Sequence, residues 1–312
     1  MKRFFIVLVP VTLGLAFAVV VVGAYVRLSD AGLGCPDWPL CYGQPVPGAI
    51  ADGDALAKAW KEMGHRYLAG TLGVLILFIA VLAWRLRRSP WLATALFVLL
   101  VFQATLGAWT VTMLLKPAIV TAHLLGGMAI LALLTWVALA QLSAPAAFQA
   151  RKLRGPAAIA LAVLLVQIAL GGWVSSNYAA LACPDVPGCL GQAVPAMDFR
   201  NAFHLLRELG QTPQGELLSR EALTAIHWSH RVFALVLVAV LAWTVYRTCA
   251  ISRPLAAVIA LLLAAQFSLG VANVVVSRPL GLAAAHNAGA ALLLIALVVL
   301  NFFAFRGPGP SK

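Results

Sequence analysis

Long uninterrupted runs of apolar residues recur from one end of this sequence to the other. A helix needs about 20 such residues to cross the hydrocarbon core of a bilayer. Eight runs reach that range, so the pattern predicts an all-α polytopic membrane protein with eight transmembrane helices. The first run continues through Val26, longer than the core of a cleaved signal peptide, and we expect it to be retained. The predicted spans are 4–26, 63–84, 91–113, 117–141, 156–175, 224–246, 255–276 and 280–305.

Composition and charge agree with this prediction and give an orientation. Of the 312 residues, 62% are hydrophobic and 10% are charged, which excludes an ordinary soluble globule. The ten acidic residues fall in two predicted outer loops, about 28–62 and 176–223, or at their edges. By the positive-inside rule, both termini are predicted to be cytoplasmic. The net charge of +12 is therefore a topology signal, and no nucleic acid partner is expected. The basic residues at the inner ends are Lys2, Arg3, Arg85, Arg87, Arg88, Arg151, Lys152, Arg154, Arg247, Arg253, Arg306 and Lys312.

The two halves of the chain resemble each other. The segment from Cys35 to Gln44 aligns with the segment from Cys183 to Gln192, and 183 − 35 and 189 − 41 both give an offset of 148. Further on, His65-Arg66 aligns with His230-Arg231. Four helices per unit give both units the same orientation, so we expect tandem, pseudo-symmetric four-helix bundles at 1–150 and 151–312.

Four of the six histidines lie at matching positions near the outer ends of predicted helices. Ionisable side chains inside membrane spans are costly and are functional candidates by default. Two facing imidazoles can supply both axial ligands of a haem iron, whereas zinc usually takes a third or fourth protein ligand. We therefore favour haem ligation over structural polar packing. The predicted ligand pairs are His65 with His123 and His230 with His286.

Residues beside the histidines suit a porphyrin. Small residues after two of the histidines leave room for a flat ring, although close helix packing explains them equally well. Four basic residues near the outer surface are candidate contacts for haem propionates, with interfacial snorkelling as the alternative. The small residues are Gly126, Gly127, Gly289 and Ala290, and the basic residues are Arg66, Arg231, Lys116 and Arg278.

The two histidine sites differ in one neighbour. Glu62 lies three residues before His65, whereas His227 lies three residues before His230. A carboxylate beside a haem can move protons or stabilise a developing cation, which electron transfer alone does not require. Glu62 is therefore a catalytic candidate, with a solvated loop-end residue as the alternative. For His227, a supporting role near the ligand and an ordinary interfacial role both stay open.

The outer loops contain two cysteine pairs with the same spacing. Cys35 with Cys41 and Cys183 with Cys189 are predicted to form local disulfides, which persist in an oxidising compartment. A metal site is the alternative, but no histidine accompanies either pair at zinc-ligand spacing.

Together these motifs resemble the haem A synthase family, and the resemblance covers essentially the whole chain. It rests on Glu62-Met63-Gly64-His65-Arg66, on Ile226-His227-Trp228-Ser229-His230-Arg231, on His123 and His286, and on the cysteine pairs. The resemblance implies an oxidoreductase that converts the C8 methyl group of haem O to a formyl group by successive hydroxylations. The product, haem A, serves terminal oxidases.

The resemblance also implies a division of labour. Substrate haem O would bind at His65 and His123 with Glu62 near the reacting edge, and a permanent haem B would bind at His230 and His286. The sequence contains no flavin or nicotinamide motif, so electrons would come from a protein or from quinol. Other implied partners are the lipid bilayer, oxygen, the haem O synthase, oxidase assembly factors and a second copy of the chain. The implied location is a bacterial inner membrane, with the haem sites toward the periplasm.

Two other functions use the same ligands. A bis-histidine electron-transfer cytochrome would leave its haem unaltered, but it does not explain the difference at Glu62. A haem carrier would bind haem reversibly without turnover.

Overall fold

Eight long helices form the protein in a computed structural model, which describes residues 1–48, 53–141 and 151–305. All eight are long and apolar enough to span a membrane, which confirms the predicted fold class. The described residues contain isolated β-bridges in the loops but no strand. The helices are α1 (Lys2–Leu28), α2 (Gly53–Leu86), α3 (Pro90–Thr112), α4 (Pro117–Gln141), α5 (Arg154–Ser176), α6 (Arg220–Cys249), α7 (Arg253–Val275) and α8 (Leu280–Phe305).

Helix α2 begins ten residues earlier than the sequence predicted, at Gly53 instead of residue 63. Seven of the ten added residues, 53–62, are alanine, lysine, leucine or glutamate, which favour helix even where charge excludes the membrane. Its first turns include an ion pair between Asp54 and Lys58 at 3.2 Å, spaced one turn apart. As a result, Glu62 lies inside a helix instead of at the end of a loop.

The long loop between α5 and α6 folds into a small cap over the carboxyl half. It contains a 3₁₀ turn at Ala179–Leu181 and a four-residue helix at Phe199–Ala202. Trp173 at the end of α5 is buried beneath this cap, and its indole nitrogen donates to the carbonyl oxygen of Ala202 at 2.9 Å. The cap therefore excludes water from the outer end of α5 and α6.

The helices pack as two closed rings of four. Helices α1 to α4 contact one another in cyclic order, and α5 to α8 do the same. The two rings meet through the pairs α1 with α8, α4 with α8, and α4 with α5. A tandem repeat related by a two-fold axis could produce this set of contacts, and the pseudo-symmetry itself stays a prediction. The predicted boundary at residue 150, and the charges at Asp52, Arg306 and Lys312, lie outside the described residues.

Helices α4 and α8 lie at the centre, and α8 is the most buried span. Near their outer ends the two halves are tied by polar contacts as well as by apolar packing. Arg27 donates to the carbonyl oxygens of Ser175 and Ser176 at 2.9 and 3.3 Å, and so satisfies the end of α5. The hydroxyls of Thr121 and Ser176 are 3.1 Å apart. The rings are therefore fixed to each other at the level of the predicted ligands.

Candidate functional site

Each of the four predicted ligands packs against a glycine on the helix before it. A Cβ placed on each glycine would lie between 2.8 and 3.2 Å from the Cε1 atom of the facing imidazole. At Gly23 a Cβ would force the imidazole to move, and at the other three positions the imidazole would have to give by a few tenths of an ångström, so glycine leaves each ring in place. The pairs are Gly23 with His65, Gly107 with His123, Gly171 with His230, and Gly270 with His286.

The two predicted ligands of each half lie on opposite helices of one four-helix ring. His65 is on α2 and His123 on α4, whereas His230 is on α6 and His286 on α8. His123 and His286 occupy the second turn of α4 and α8, as their sequence positions predicted. Each half therefore carries two imidazoles on facing helices of one ring.

Ring nitrogens of these histidines lack partners inside the described protein. The Nδ1 atoms of His65, His123 and His286 are buried without a hydrogen bond. An unsatisfied buried polar group costs about 1–3 kcal/mol, so such atoms indicate a role other than packing. A histidine that binds iron through one ring nitrogen carries its proton on the other. The unpartnered nitrogens of these three residues therefore fit iron ligation, and His230 occupies the matching position with its Nδ1 atom 3.1 Å from Gln167 Nε2.

Three glutamines contact the same histidine residues. Gln103 Nε2 donates to the carbonyl oxygen of His123 at 2.7 Å. Gln167 Nε2 is 3.1 Å from His230 Nδ1, and Gln266 Nε2 is 3.4 Å from His286 Nε2. Each glutamine therefore joins two helices of its ring. Their shared position, four residues before the histidine-facing glycine, was the signal that went unused.

Two of the small residues predicted to make room for a porphyrin make room for glutamine side chains. A Cβ on Gly126 would lie 2.0 Å from Gln103 Oε1, and one on Gly289 would lie 2.3 Å from Gln266 Oε1. These glycines therefore leave the space that the glutamine amides occupy. Gly127 is in ordinary contact distance of Gln103 and of Val20.

Glu62 is buried, with 5% of its surface exposed, which rules out the solvated loop-end alternative. Its Oε2 atom accepts the backbone N–H of Cys35 at 2.8 Å, and its Oε1 atom pairs with Arg66. The neighbouring Gly34 approaches the backbone of Lys58 so closely that a Cβ would lie 2.5 Å from its carbonyl carbon. The carboxylate thus anchors the first outer loop to α2, one turn before His65.

His227 takes the corresponding place in the carboxyl half. It is also buried, and its Nε2 atom accepts a hydrogen bond from Arg231 Nε at 3.2 Å. The arrangement keeps a polar partner for the arginine but replaces the carboxylate with an imidazole. The predicted difference between the halves therefore persists in three dimensions.

Arg66 and Arg231, which directly follow His65 and His230, bind backbone carbonyls of the cysteine loops. Arg66 donates to the carbonyl oxygens of Asp37 and Leu40 at 2.9 and 2.7 Å. Arg231 donates to those of Asp185 and Gly188 at 2.7 and 2.8 Å, and also to that of Cys183. These contacts hold the cysteine loops on α2 and α6. Propionate binding by the two arginines stays a prediction, and loop attachment is the role that the contacts support.

Lys116 and Arg278, the other predicted propionate contacts, lie in the short loops that precede α4 and α8. Lys116 Nζ forms a hydrogen-bonded ion pair with Glu208 at 2.8 Å, linking the amino half to the cap of the carboxyl half. Arg278 adopts a left-handed backbone conformation with φ of 60° just before α8. For both residues propionate binding is untested and stays a prediction.

Both predicted cysteine pairs are joined, Cys35 to Cys41 and Cys183 to Cys189. Sequence reasoning missed the aspartate inside each loop. Asp37 accepts the backbone N–H groups of Tyr42 and Gly43 at 2.6 and 2.8 Å, and these bonds lower the pKa of its carboxyl. Asp185 does the same with Leu190 and Gly191 at 2.6 and 2.8 Å, and its pKa is lowered for the same reason.

Comparison with known proteins gives a family. Residues 6–298 match the family COX15-CtaA, described as cytochrome oxidase assembly protein. This chain belongs to the COX15-CtaA family. A relative named heme A synthase from Shewanella oneidensis is 42% identical over 95% of this chain and 95% of its own length. A protein of the same name from Maricaulis maris is 28% identical over 95% of this chain and 94% of its own length. Another, from Halalkalibacterium halodurans, is 29% identical over 68% of this chain and 72% of its own length.

For this COX15-CtaA member, the donor set favours haem over a simple metal ion. In the described ranges, no group of three or more histidine, cysteine, aspartate or glutamate side chains could hold a metal ion. Two imidazoles on facing helices of a four-helix ring can supply both protein ligands of a haem iron.

Proposed function

We propose that this COX15-CtaA member is a haem A synthase, an enzyme that oxidises a methyl group of haem O to a formyl group and so produces haem A. The observation that carries this proposal is the 42% identity, along 95% of the chain, to a relative named heme A synthase. The paired histidines support it, and so does Glu62, the one carboxylate that is buried among the described residues, because the reaction requires one haem site that does chemistry.

The amino half is proposed to hold the substrate. His65 and His123 would ligate haem O, and Glu62 would lie beside the reacting edge. The support is the position of Glu62, buried one turn before His65 on the same helix face. Because Arg66 balances its charge, Glu62 can remain buried as a carboxylate. It would hold negative charge, or accept a proton, where positive charge develops during oxidation.

The carboxyl half is proposed to hold a permanent haem B on His230 and His286. A bound haem B supplies one-electron chemistry. The residues around it hold and shield the ligands: Gln167 contacts His230, and the cap above Trp173 keeps water from the outer end of α5. His227 stands where the catalytic carboxylate stands in the other half, which suits a site that only transfers electrons.

The remaining partners follow from this reaction. The eight apolar helices place the protein in a bilayer, as a multi-pass membrane protein. Oxygen and an external electron donor, either a protein or quinol, would supply the oxidant and the electrons. We propose a bacterial inner membrane with both haem sites toward the periplasm, near the haem O synthase and oxidase assembly factors. A second copy of the chain is a further proposed partner.

The reaction can be tested with purified protein loaded with haem O, supplied with oxygen and a chemical reductant. The extracted haems are then identified by chromatography and mass spectrometry. Haem A or the hydroxylated intermediate should appear in the wild type and be absent from a His65→Ala, His123→Ala double variant. Unchanged haem O in a fully loaded wild type would favour an electron-transfer cytochrome or a haem carrier instead.

A further inference from the structure

Three of the four haem-ligand candidates share a contact that the fourth lacks. On α3, α5 and α7, a glutamine precedes the histidine-facing glycine by four residues, which is about one turn. The amide of each glutamine contacts the facing histidine residue, through the backbone carbonyl at His123 and through the ring at His230 and His286. The glutamines are Gln103, Gln167 and Gln266.

The corresponding residue on α1 is Val19, four residues before Gly23. It is buried in the apolar core with 9% of its surface exposed. Because a valine side chain has no polar atom, the imidazole of His65 has no amide beside it. The Nδ1 atom of His65 is buried without a hydrogen-bond partner in the described protein, as are those of His123 and His286, so what distinguishes His65 is the missing glutamine contact.

This difference matters because metal-binding imidazoles are held by a hydrogen bond at their second ring nitrogen. Loss of such a partner typically costs roughly 10- to 100-fold in metal affinity. A glutamine amide offers a donor and an acceptor, so it can serve either protonation state of a neutral ring. The Oε1 atoms of all three glutamines are buried without a donor, which leaves that capacity in place.

The seam between α1 and α2 beside His65 has an open groove at the surface of the bundle. A groove of about 470 Å³ lies between α1 and α2 on the surface of the bundle. It is lined by Val22 and Gly64, which are next in sequence to Gly23 and His65, and by the apolar and aromatic side chains of Tyr25 and Trp60. The imidazole without a glutamine contact therefore lies beside a surface groove.

We infer that His65 is the exchangeable axial ligand, the one that detaches when haem enters or leaves the amino half, and that the three glutamines are positioning residues for the other ligands. The inference rests on the proposed function, in which the amino half takes in substrate and gives up product while the carboxyl half keeps its haem. Such a site needs one ligand that dissociates readily. Val19, in place of a glutamine, leaves His65 without the contact that would hold it.

The test uses the full-length haem-loaded protein and measures haem release to excess apomyoglobin. The haem type recovered with time identifies the half that has emptied. Val19→Gln should slow release from the amino half by on the order of 10-fold, and should shift the low-spin haem signals in electron paramagnetic resonance. Val19→Leu, which adds bulk without an amide, is the matched control and should change neither measurement.

The reciprocal variant is Gln167→Val in the carboxyl half, an apolar change that does not bury a new polar group. It should accelerate haem B release by on the order of 10-fold, and it decides the question if Val19→Gln fails to fold. Equal effects of Val19→Gln and Val19→Leu, or unchanged haem B release in Gln167→Val, would overturn the inference.

Failure of the proposed function would look different. If the wild type forms no haem A but Val19→Gln still slows haem release from the amino half, the proposed reaction is refuted and the inference about His65 stands. Normal haem A formation with no effect of Val19→Gln on release or spectrum would refute the exchangeable ligand alone.

Discussion

The backbone N–H of Cys35 donates a 2.8 Å hydrogen bond to the buried carboxylate of Glu62. This bond joins the disulfide loop of the amino half to the helix that carries His65. Glu62 therefore has two roles to separate, attachment of the loop and chemistry at the haem. An amide in its place can still accept the Cys35 hydrogen bond but carries no charge.

We expect Glu62→Gln to bind haem in both halves and to lose haem A formation by at least about 100-fold, the usual scale of a general acid or base. Turnover of the haem O-loaded variant, together with its haem content, provides the measurement. The matched control is His227→Gln, which changes the corresponding residue of the other half and should leave most activity. If Glu62→Gln binds haem normally and retains full activity, Glu62 serves only to attach the loop.

The glycine that faces each ligand should control haem binding in its own half. Gly23→Ala places a Cβ 2.8 Å from the ring of His65, so we expect the amino half to lose its haem while the carboxyl half keeps haem B. Haem content per protein, measured after extraction, reports both halves at once. Gly14→Ala lies on the same helix with nothing within 4 Å of the added Cβ, and it should bind haem like the wild type. Equal haem loss in both variants would attribute the effect to α1 itself.

Much of this arrangement could be predicted from sequence. The apolar runs predict the eight spans, and the internal repeat identifies the four matching histidines, because both features are patterns along the chain. The start of α2 at Gly53 could not be predicted from hydropathy, since its first turns are charged and lie beyond the apolar run. The pairing of Gly23 with His65 depends on which helices are neighbours, which only the packed ring of α1 to α4 determines.

The aspartate of each disulfide loop should make the loop sensitive to acid. Hydrogen bonds from Gly43 and Tyr42 lower the pKa of Asp37 in the folded loop. A lowered folded pKa means that the contribution to loop stability is complete above the ordinary aspartate pKa of about 3.9 and is lost as the pH falls through the lower folded value. Amide hydrogen exchange at Tyr42 and Gly43, corrected for intrinsic rates, should therefore lose protection at the acidic end.

In Asp37→Asn, that protection should be weaker at neutral pH and should no longer depend on pH. Asp185 in the other half, with Leu190 and Gly191, provides an internal reference within the same protein. Pronounced pH dependence of the Tyr42 and Gly43 amides in Asp37→Asn would contradict this assignment.

The ion pair between Lys116 and Glu208 gives a test of the propionate prediction. If Lys116 serves only the ion pair, Lys116→Gln and Glu208→Gln should each cost at most about 1 kcal/mol of stability and leave haem retention unchanged, because both side chains are partly exposed. If Lys116 also binds a propionate, Lys116→Gln alone should weaken haem retention in the amino half. Haem release from the two single variants and the double variant distinguishes these cases.

The division of labour between the two halves is the central claim, and haem analysis of two paired variants tests it most directly. Wild-type protein, His65→Ala with His123→Ala, and His230→Ala with His286→Ala are expressed with a haem O source, purified, and their haems identified by mass spectrometry. We predict haem B together with haem O or haem A in the wild type, haem B alone in the amino-half variant, and loss of haem B in the carboxyl-half variant. Loss of haem B from the amino-half variant, with haem O or haem A retained, would contradict the assignment.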